Sequence, residues 1–391
     1  MSKLVTNTLR HTAASSDSIT LVSDGTCTAE ITNRSNRNLV INGAMQVAQR
    51  GTSSTSTGYA SVDRIKLGTS GVDEALTQAQ VSLTSSDTGP WEKGFRKAYQ
   101  LTNGNQTSGA DAGDVVEIEY KVESRDLACS GWDYTNSNSY VTLSFWVKAS
   151  VAQVYYGQIR TNEGTSQTFA FSTGSLSANT WTKVTKTIPG RTGFQLDDGI
   201  SDGISIKWAP FWGTNRTASG VTLDAWHTTD NSERLPDMTS TWYTTNDSTF
   251  ALTGVQLELG STDTDFEHRS YGDELMRCFR YFYMHADGSQ SQWQNIGLLA
   301  AWTAGSEIAI VSYPTRMRTS PSLYKVVGTD YFRCSRNNGY QDSDDVGFDT
   351  SGGSMMGYLN FTDDIASSGG MAGTAQIANQ SAARIGFDAE L

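Results

Sequence analysis

Apolar residues in this chain seldom run together; they alternate with polar ones at a period of two. In Tyr140-Val141-Thr142-Leu143-Ser144-Phe145-Trp146-Val147-Lys148, the residues Val141, Leu143, Phe145 and Val147 share one face of an extended segment. Further strands are predicted at 115–122, 154–160, 168–171, 180–188, 203–210 and 250–259. Turn residues separate them at the spacing of about 8–12 residues typical of two packed antiparallel sheets. Residues 38–262 therefore read as a β-sandwich. A second set of strands, at 296–301, 307–313, 322–327, 331–333, 357–361 and 383–390, predicts a C-terminal β domain over 286–391. Pro314 and Pro321 keep the stretch between them out of central pairing.

One segment departs from the two-residue period. Over 269–285, Leu275, Cys278, Phe279 and Phe282 recur at helical spacing, and Tyr271, Tyr281 and Tyr283 widen the apolar surface. Ser270, with Asp273 three residues on, is an N-cap signal. This is the one predicted helix. It serves either as a joint between domains or subunits or as an ordinary packed helix, within a linking segment at 263–285. Residues 1–37 are polar and read as an extended attachment segment. Ser23-Asp24-Gly25, between two alternating stretches, predicts a hairpin that needs a partner surface.

The composition fits this pattern. Only 37% of residues are hydrophobic and 18% charged, yet there are 10 Trp, 16 Tyr and 14 Phe, with 37 Gly. A disordered acidic chain would lack the aromatics. The length favours two or three domains. A net charge of −12 argues against nucleic-acid binding, which needs a basic face. The opening residues carry no apolar signal-peptide core, and no apolar run reaches membrane-spanning length. Assembly in a reducing cytoplasm with free thiols is the expectation for the scattered Cys27, Cys129, Cys278 and Cys334.

Candidate chemistry is sparse. The Cys residues and His11, His227, His268 and His285 have no zinc-site spacing. Asp342-Ser343-Asp344-Asp345 opens like a calcium loop, but Val346 and Gly353 occupy ligand positions five and twelve. The neighbouring carboxylates Asp197-Asp198, Asp344-Asp345 and Asp363-Asp364 would point to opposite faces of a strand. A glycosidase needs two carboxyls facing each other across a sugar. No catalytic residues, cofactor or metal ligands are expected. The aromatics of 208–248 remain. Trp212, Trp226, His227, Trp242 and Tyr243 lie among polar residues and are the candidate glycan-binding residues, with Asn215, Asp224 and Asp230 as hydrogen-bonding neighbours. The competing reading puts these indoles in the core or at a subunit contact. Trp146, Trp181 and Trp208 read as core.

Three blocks carry a family resemblance. Asn38-Leu39-Val40-Ile41-Asn42-Gly43-Ala44-Met45 leads to Gln49-Arg50-Gly51 and Val62-Asp63-Arg64. Gly254-Val255-Gln256-Leu257-Glu258-Leu259-Gly260 leads to Phe266-Glu267-His268-Arg269-Ser270-Tyr271-Gly272, and Gly386-Phe387-Asp388-Ala389-Glu390-Leu391 closes the chain. Together they resemble tail fibre-like proteins of bacteriophages, marine ones especially. The strand order resembles the jelly roll of carbohydrate-binding modules, on 143–148, 181–184 and 253–259. The resemblance implies a non-enzymatic virion protein, a homotrimer joined to other virion proteins through residues 1–37. Adhesion to a host-surface glycan is the expected function, with no membrane insertion. A structural calcium, which such jelly rolls often carry, cannot be assigned to any residue. A head or tail decoration protein that binds only other virion proteins is the alternative, and a polysaccharide depolymerase a third.

Overall fold

Where alternation was strongest, the chain forms two facing antiparallel sheets. The structure, a computed structural model, describes residues 6–10, 12, 19–21, 27–29, 36–303, 305–336, 339–361 and 370–391. One sheet runs in the order Trp226–Thr228, Gln167–Ser175, Val154–Thr161, Asp202–Trp212, Val115–Glu123, Lys66–Ser70. The other runs Thr182–Pro189, Tyr140–Ala149, Thr249–Leu259, Lys97–Thr102, Thr77–Ser82, Ser53–Ser54. Most neighbours in each sheet are far apart in sequence, as in a jelly roll, the exceptions being the sequential pairs Val154–Thr161 with Gln167–Ser175 and Thr77–Ser82 with Lys97–Thr102, and the fold is mostly β with several sheets. Val141, Leu143, Phe145 and Val147 all face the space between the sheets and are fully buried. Phe145 meets Trp208 edge-on at 5.5 Å, which puts Trp208 in the core as expected. At ~25 cal/mol per Å² of apolar surface, such rings dominate the stability of the sandwich.

The C-terminal residues form a three-stranded sheet, Phe282–Asp287, Arg384–Asp388, Ser322–Val326, beside a seven-stranded one. The latter runs Gly339–Ser343, Phe332–Arg336, Ala372–Ile377, Asn295–Thr303, Ser306–Ser312, Met356–Phe361, Gly347–Asp349. Their shared core holds Ile296, Val311, Phe332, Phe361, Ile385 and Phe387.

The helix is shorter than expected. It spans Tyr271–Phe279, with the Ser270 hydroxyl accepting from the Asp273 amide at 3.1 Å. Residues 282–287 are instead a strand paired to Arg384–Asp388. Aromatic Phe282 and Tyr283 suit a pleated surface as well as a helix face, and the available sheet edge decides between them. The helix sits at the junction of the two halves. Cys278 packs with Ile41, Val47 and Tyr281, and Leu275 and Leu391 flank them.

The three blocks singled out in the sequence meet at this junction. The Asn38 side chain donates to the Val255 carbonyl and accepts from the Leu257 amide. Gly43 lies so close to the Val255 carbonyl that a Cβ would sit 2.1 Å from its oxygen, so no larger residue fits. Asn42 adopts a left-handed φ of 61° and ties Val47 to the Asp63 carbonyl. Gln49 reaches across to accept from the Met284 amide and donate to the Phe282 carbonyl. Buried Arg64 pairs with Glu390 and stacks on the Tyr281 ring at 3.6 Å. Arg50 pairs with Asp388 at 2.9 Å and lies 3.5 Å over the Phe282 ring.

Among the described residues of the leader, Ile19–Leu21 pairs antiparallel with Cys27–Ala29 and with Thr8–Leu9. The Ser23-Asp24-Gly25 turn lies outside the described residues.

Candidate functional site

The outer face of the sheet carrying Tyr140–Ala149 is not bare. Two segments fold across it. In the first, Trp91 and Phe95 pack down; in the second, Phe266 does. Between them runs a groove of about 480 Å3, lined by Glu92, Lys93, Phe95, Ser144, Trp146, Lys183, Gly254, Thr264, Asp265, Phe266 and His268. Period-two alternation puts Trp146 here: Phe145 and Val147 point inward, so Trp146 must point outward. It is half-buried, opposite Lys183 on one neighbouring strand and Thr253 on the other.

The floor is built to close tolerances. Gly89, at φ +96°, leaves only 2.6 Å between a would-be Cβ and the Trp146 ring. Gly254, at φ +61° in the bulge of Thr249–Leu259, leaves 2.6 Å to Phe95. Both positions demand glycine for conformation and for space. Phe95, Phe266 and His268 form an aromatic wall with centroids 4.8–5.0 Å apart. The Lys93 carbonyl accepts from His268 Nε2 at 2.8 Å, so that nitrogen carries the imidazole proton. At the rim, Asp87 accepts from the Trp181 indole at 2.9 Å and the Lys148 ammonium at 2.8 Å. Burial pushes the Asp87 carboxyl up, but bonds from Lys148, the Thr84 amide and Trp181 prevail and hold it near 2. Trp181 is buried, as expected; Trp146 is not.

A half-exposed indole among hydroxyl, carboxylate and ammonium groups suits a sugar, whose C–H face stacks while its hydroxyls bond at the edges. Lys183 is held by Asp263 at 2.5 Å, and Lys93 by Asp265 at 3.5 Å. Glu92 accepts from the Gly89 amide.

The residues picked from sequence lie elsewhere. Trp212, Trp242 and Tyr243 are at most 1% exposed, so they offer no face to a sugar. Tyr243 stacks on Phe211 at 4.7 Å, Trp242 donates to the Thr249 carbonyl, and Arg234 caps Trp212. Trp226 is half-buried, wedged against Phe169 and Phe194, and donates to the Pro189 carbonyl. His227 is half-buried beside it, and burial lowers its pKa. The 211–248 stretch, expected to be a polar stacking loop, seals the opposite sheet with Leu235 and Met238.

The carboxylate runs are engaged singly. Asp198 pairs with Arg125, Asp342 with Arg333 and Asp345 with Lys325, and Asp344 accepts from the Asp330 amide. Asp363-Asp364 lies outside the described residues. Among the described residues no group of three or more His, Cys, Asp or Glu could hold a metal ion. No described helix is long and apolar enough to cross a membrane.

No family model matches the chain, and no curated protein matches it in sequence. Among solved structures, part of the chain is similar to the enzymatically active domain of bacteriophage CBA120 tailspike protein 4, at 11% identity and a TM-score of 0.29. That alignment covers 59% of this chain and only 24% of the tailspike chain. It is also similar to the N-terminal cellulose-binding domain of Cellulomonas fimi β-1,4-glucanase C, at 11% identity, 56% and 99% coverage and a TM-score of 0.26. A third similar structure is the CBM22-1 xylan-binding domain from Paenibacillus barcinonensis, at 10% identity, 56% and 97% coverage and a TM-score of 0.25. At these scores the architecture rests on the strand order itself.

Proposed function

We propose that this chain is a non-enzymatic, fibre-type bacteriophage virion protein and that the groove at Trp146 holds a host-surface glycan. The observation that carries the glycan reading is the half-buried Trp146 indole in the wall of the groove of about 480 Å3, ringed by Ser144, Lys183, Glu92 and Asp265. The fibre-type reading rests on the three sequence blocks. With it come a homotrimer, attachment to other virion proteins through residues 1–37, and a location in the virion. The non-enzymatic reading rests on the sequence resemblance; in the groove Glu92 accepts from the Gly89 amide and Asp265 faces Lys93.

Trp146→Ala tests the groove. The purified variant should bind host cells about tenfold more weakly, with a melting temperature close to that of the parent. Unchanged adhesion would overturn the assignment. In sedimentation, three chains per particle are expected, and a monomer or dimer at micromolar concentration would sink the trimer.

A second reading, in which the chain touches only other virion proteins, is favoured by one observation. On the outer face of the seven-stranded sheet, Leu298 and Ile310 sit side by side, 78% and 57% exposed, with exposed Met356 nearby. Immunolabelling of intact particles separates the two: staining at the distal tail fits adhesion, and staining of the capsid fits decoration.

A further inference from the structure

The strands Phe332–Arg336 and Gly339–Ser343 form the end of the seven-stranded sheet, and their alternation sorts two sets of side chains. Phe332, Cys334 and Ser343 are buried on the core side. Arg333, Ser335, Tyr340 and Asp342 therefore project from the other face, with Arg333 opposite Asp342 and Ser335 between Tyr340 and Thr374. Asp342 grips the Arg333 guanidinium with both oxygens, at 2.6 and 2.8 Å. The gripped guanidinium lies 3.7 Å from the Tyr340 ring centre and 5.2 Å from that of Trp293. Tyr340 is nevertheless 60% exposed, because Arg333 covers only one face of its ring.

An open cleft of about 430 Å3 borders Tyr340 and is lined by Ser335, Thr374, Arg336, Gly339 and Gly373, but not by Arg333. Ser335, opposite Tyr340, and Thr374 beyond it share this side of the sheet with the phenol ring. The cations around it are neutralised: Arg333 by Asp342, and Arg336 by Glu307 at 2.9 Å, with Gln341 accepting a further bond. What the cleft offers is a flat ring held from behind and two hydroxyls beside it. A uronate or sialate would find no unpaired cation here, on a chain of net charge −12.

We propose that this cleft is a second saccharide site, independent of the groove at Trp146, and that it takes a neutral sugar. The sugar stacks on Tyr340 with its hydroxyls toward Ser335 and Thr374; Arg333 is a positioning residue that fixes the ring. The test is a printed array of neutral and of uronate- or sialate-bearing oligosaccharides, probed with the labelled full-length chain and with Tyr340→Ala, Tyr340→Phe and Trp146→Ala. Tyr340→Ala should lose about tenfold or more of the signal on a set of neutral glycans that Trp146→Ala retains. Tyr340→Phe should keep that signal, and all variants should melt with the parent. Binding by Tyr340→Ala equal to the parent overturns the proposal, as does an early-melting Tyr340→Ala or a lost set that is acidic. If every signal disappears with Trp146→Ala alone, the groove stands and this cleft does not. An array blank for all four chains overturns both sites.

Discussion

Arg64 is a buried cation held by an aromatic ring, a carbonyl and a carboxylate. It is 1% exposed, stacked on Tyr281, bonded to the Lys121 carbonyl at 2.7 Å and paired with Glu390, whose side chain is 4% exposed. Burial opposes its charge, yet Glu390 and the surrounding tyrosines raise its pKa further. Breaking a buried pair typically costs roughly 3–5 kcal/mol, and here Glu390 keeps a second cation, Arg50, at 3.5 Å. Arg64→Met should therefore lower denaturant stability by no more than that amount, and Arg64→Met with Glu390→Gln should recover part of it. A double variant worse than the sum of both singles would show that the pair is not the source. Indoles follow a different logic. Trp212→Ala and Trp242→Ala should each cost roughly 3–5 kcal/mol, measured by the same unfolding curves, because each empties a filled interior site. The polar neighbours of these two residues suggested exposure. Composition around a ring does not say which way the ring points: Leu235 and Met238, from further along the same polar stretch, cover Trp212, and Trp242 enters the sandwich core. Trp146 was misread in the other direction. Its position between Phe145 and Val147 already placed it on the opposite face, and strict alternation was the signal that could have found it.

At the scale of elements, the groove depends on a short segment clipped to the sheet by one carboxylate. Asp87 turns back to accept from the Thr84 amide at 3.0 Å and holds Lys148, on one strand, and Trp181, just ahead of the neighbouring strand Thr182–Pro189. Its folded pKa near 2 lies below the value of about 3.9 expected when unfolded. The stabilisation is thus fully present above about pH 4 and disappears as pH falls through 2. The melting-temperature gap between the parent and Asp87→Asn should be constant above pH 5 and close toward pH 2. A gap indifferent to pH would mean that the clip does not work through its charge. The main sandwich strands were legible because they are rich in apolar β-formers between turn residues, although Val115–Glu123, Asp202–Trp212 and Thr249–Leu259 are buried on both faces. Lys66–Ser70 and Thr77–Ser82 were not, since their sequences KLGTS and TQAQVS show almost no apolar period; Gln78 is buried only because Ser61 and two loop carbonyls satisfy it. The helix was read six residues too long because 280–285 carries aromatics compatible with either period, and only the distant strand Arg384–Asp388 settles the matter.

At the scale of the whole molecule, the three sequence blocks are a joint before they are anything else. Glu390 and Asp388 come from the last residues of the chain, whereas their cationic partners Arg50 and Arg64 come from the start of the sandwich. Gln49 bridges the same gap, and the Tyr59 hydroxyl donates to the Leu391 carbonyl at 3.0 Å. Each half therefore completes buried polar groups of the other, which ordinary surface-to-surface contact between domains does not require. Two halves coupled this way should unfold together. Calorimetry of the parent should give one main endotherm whose measured and van't Hoff enthalpies agree. Glu390→Gln keeps the size of the side chain but withdraws its charge from two guanidiniums, of which only Arg50 retains a carboxylate, Asp388. Arg64 is left buried beside a neutral amide. The coupling should weaken more than either core, so the endotherm should split, with the sandwich transition moving to lower temperature. A single symmetrical endotherm, merely shifted, would place the cooperativity in the apolar contacts of Cys278, Ile41 and Val47 instead of in the ion pairs.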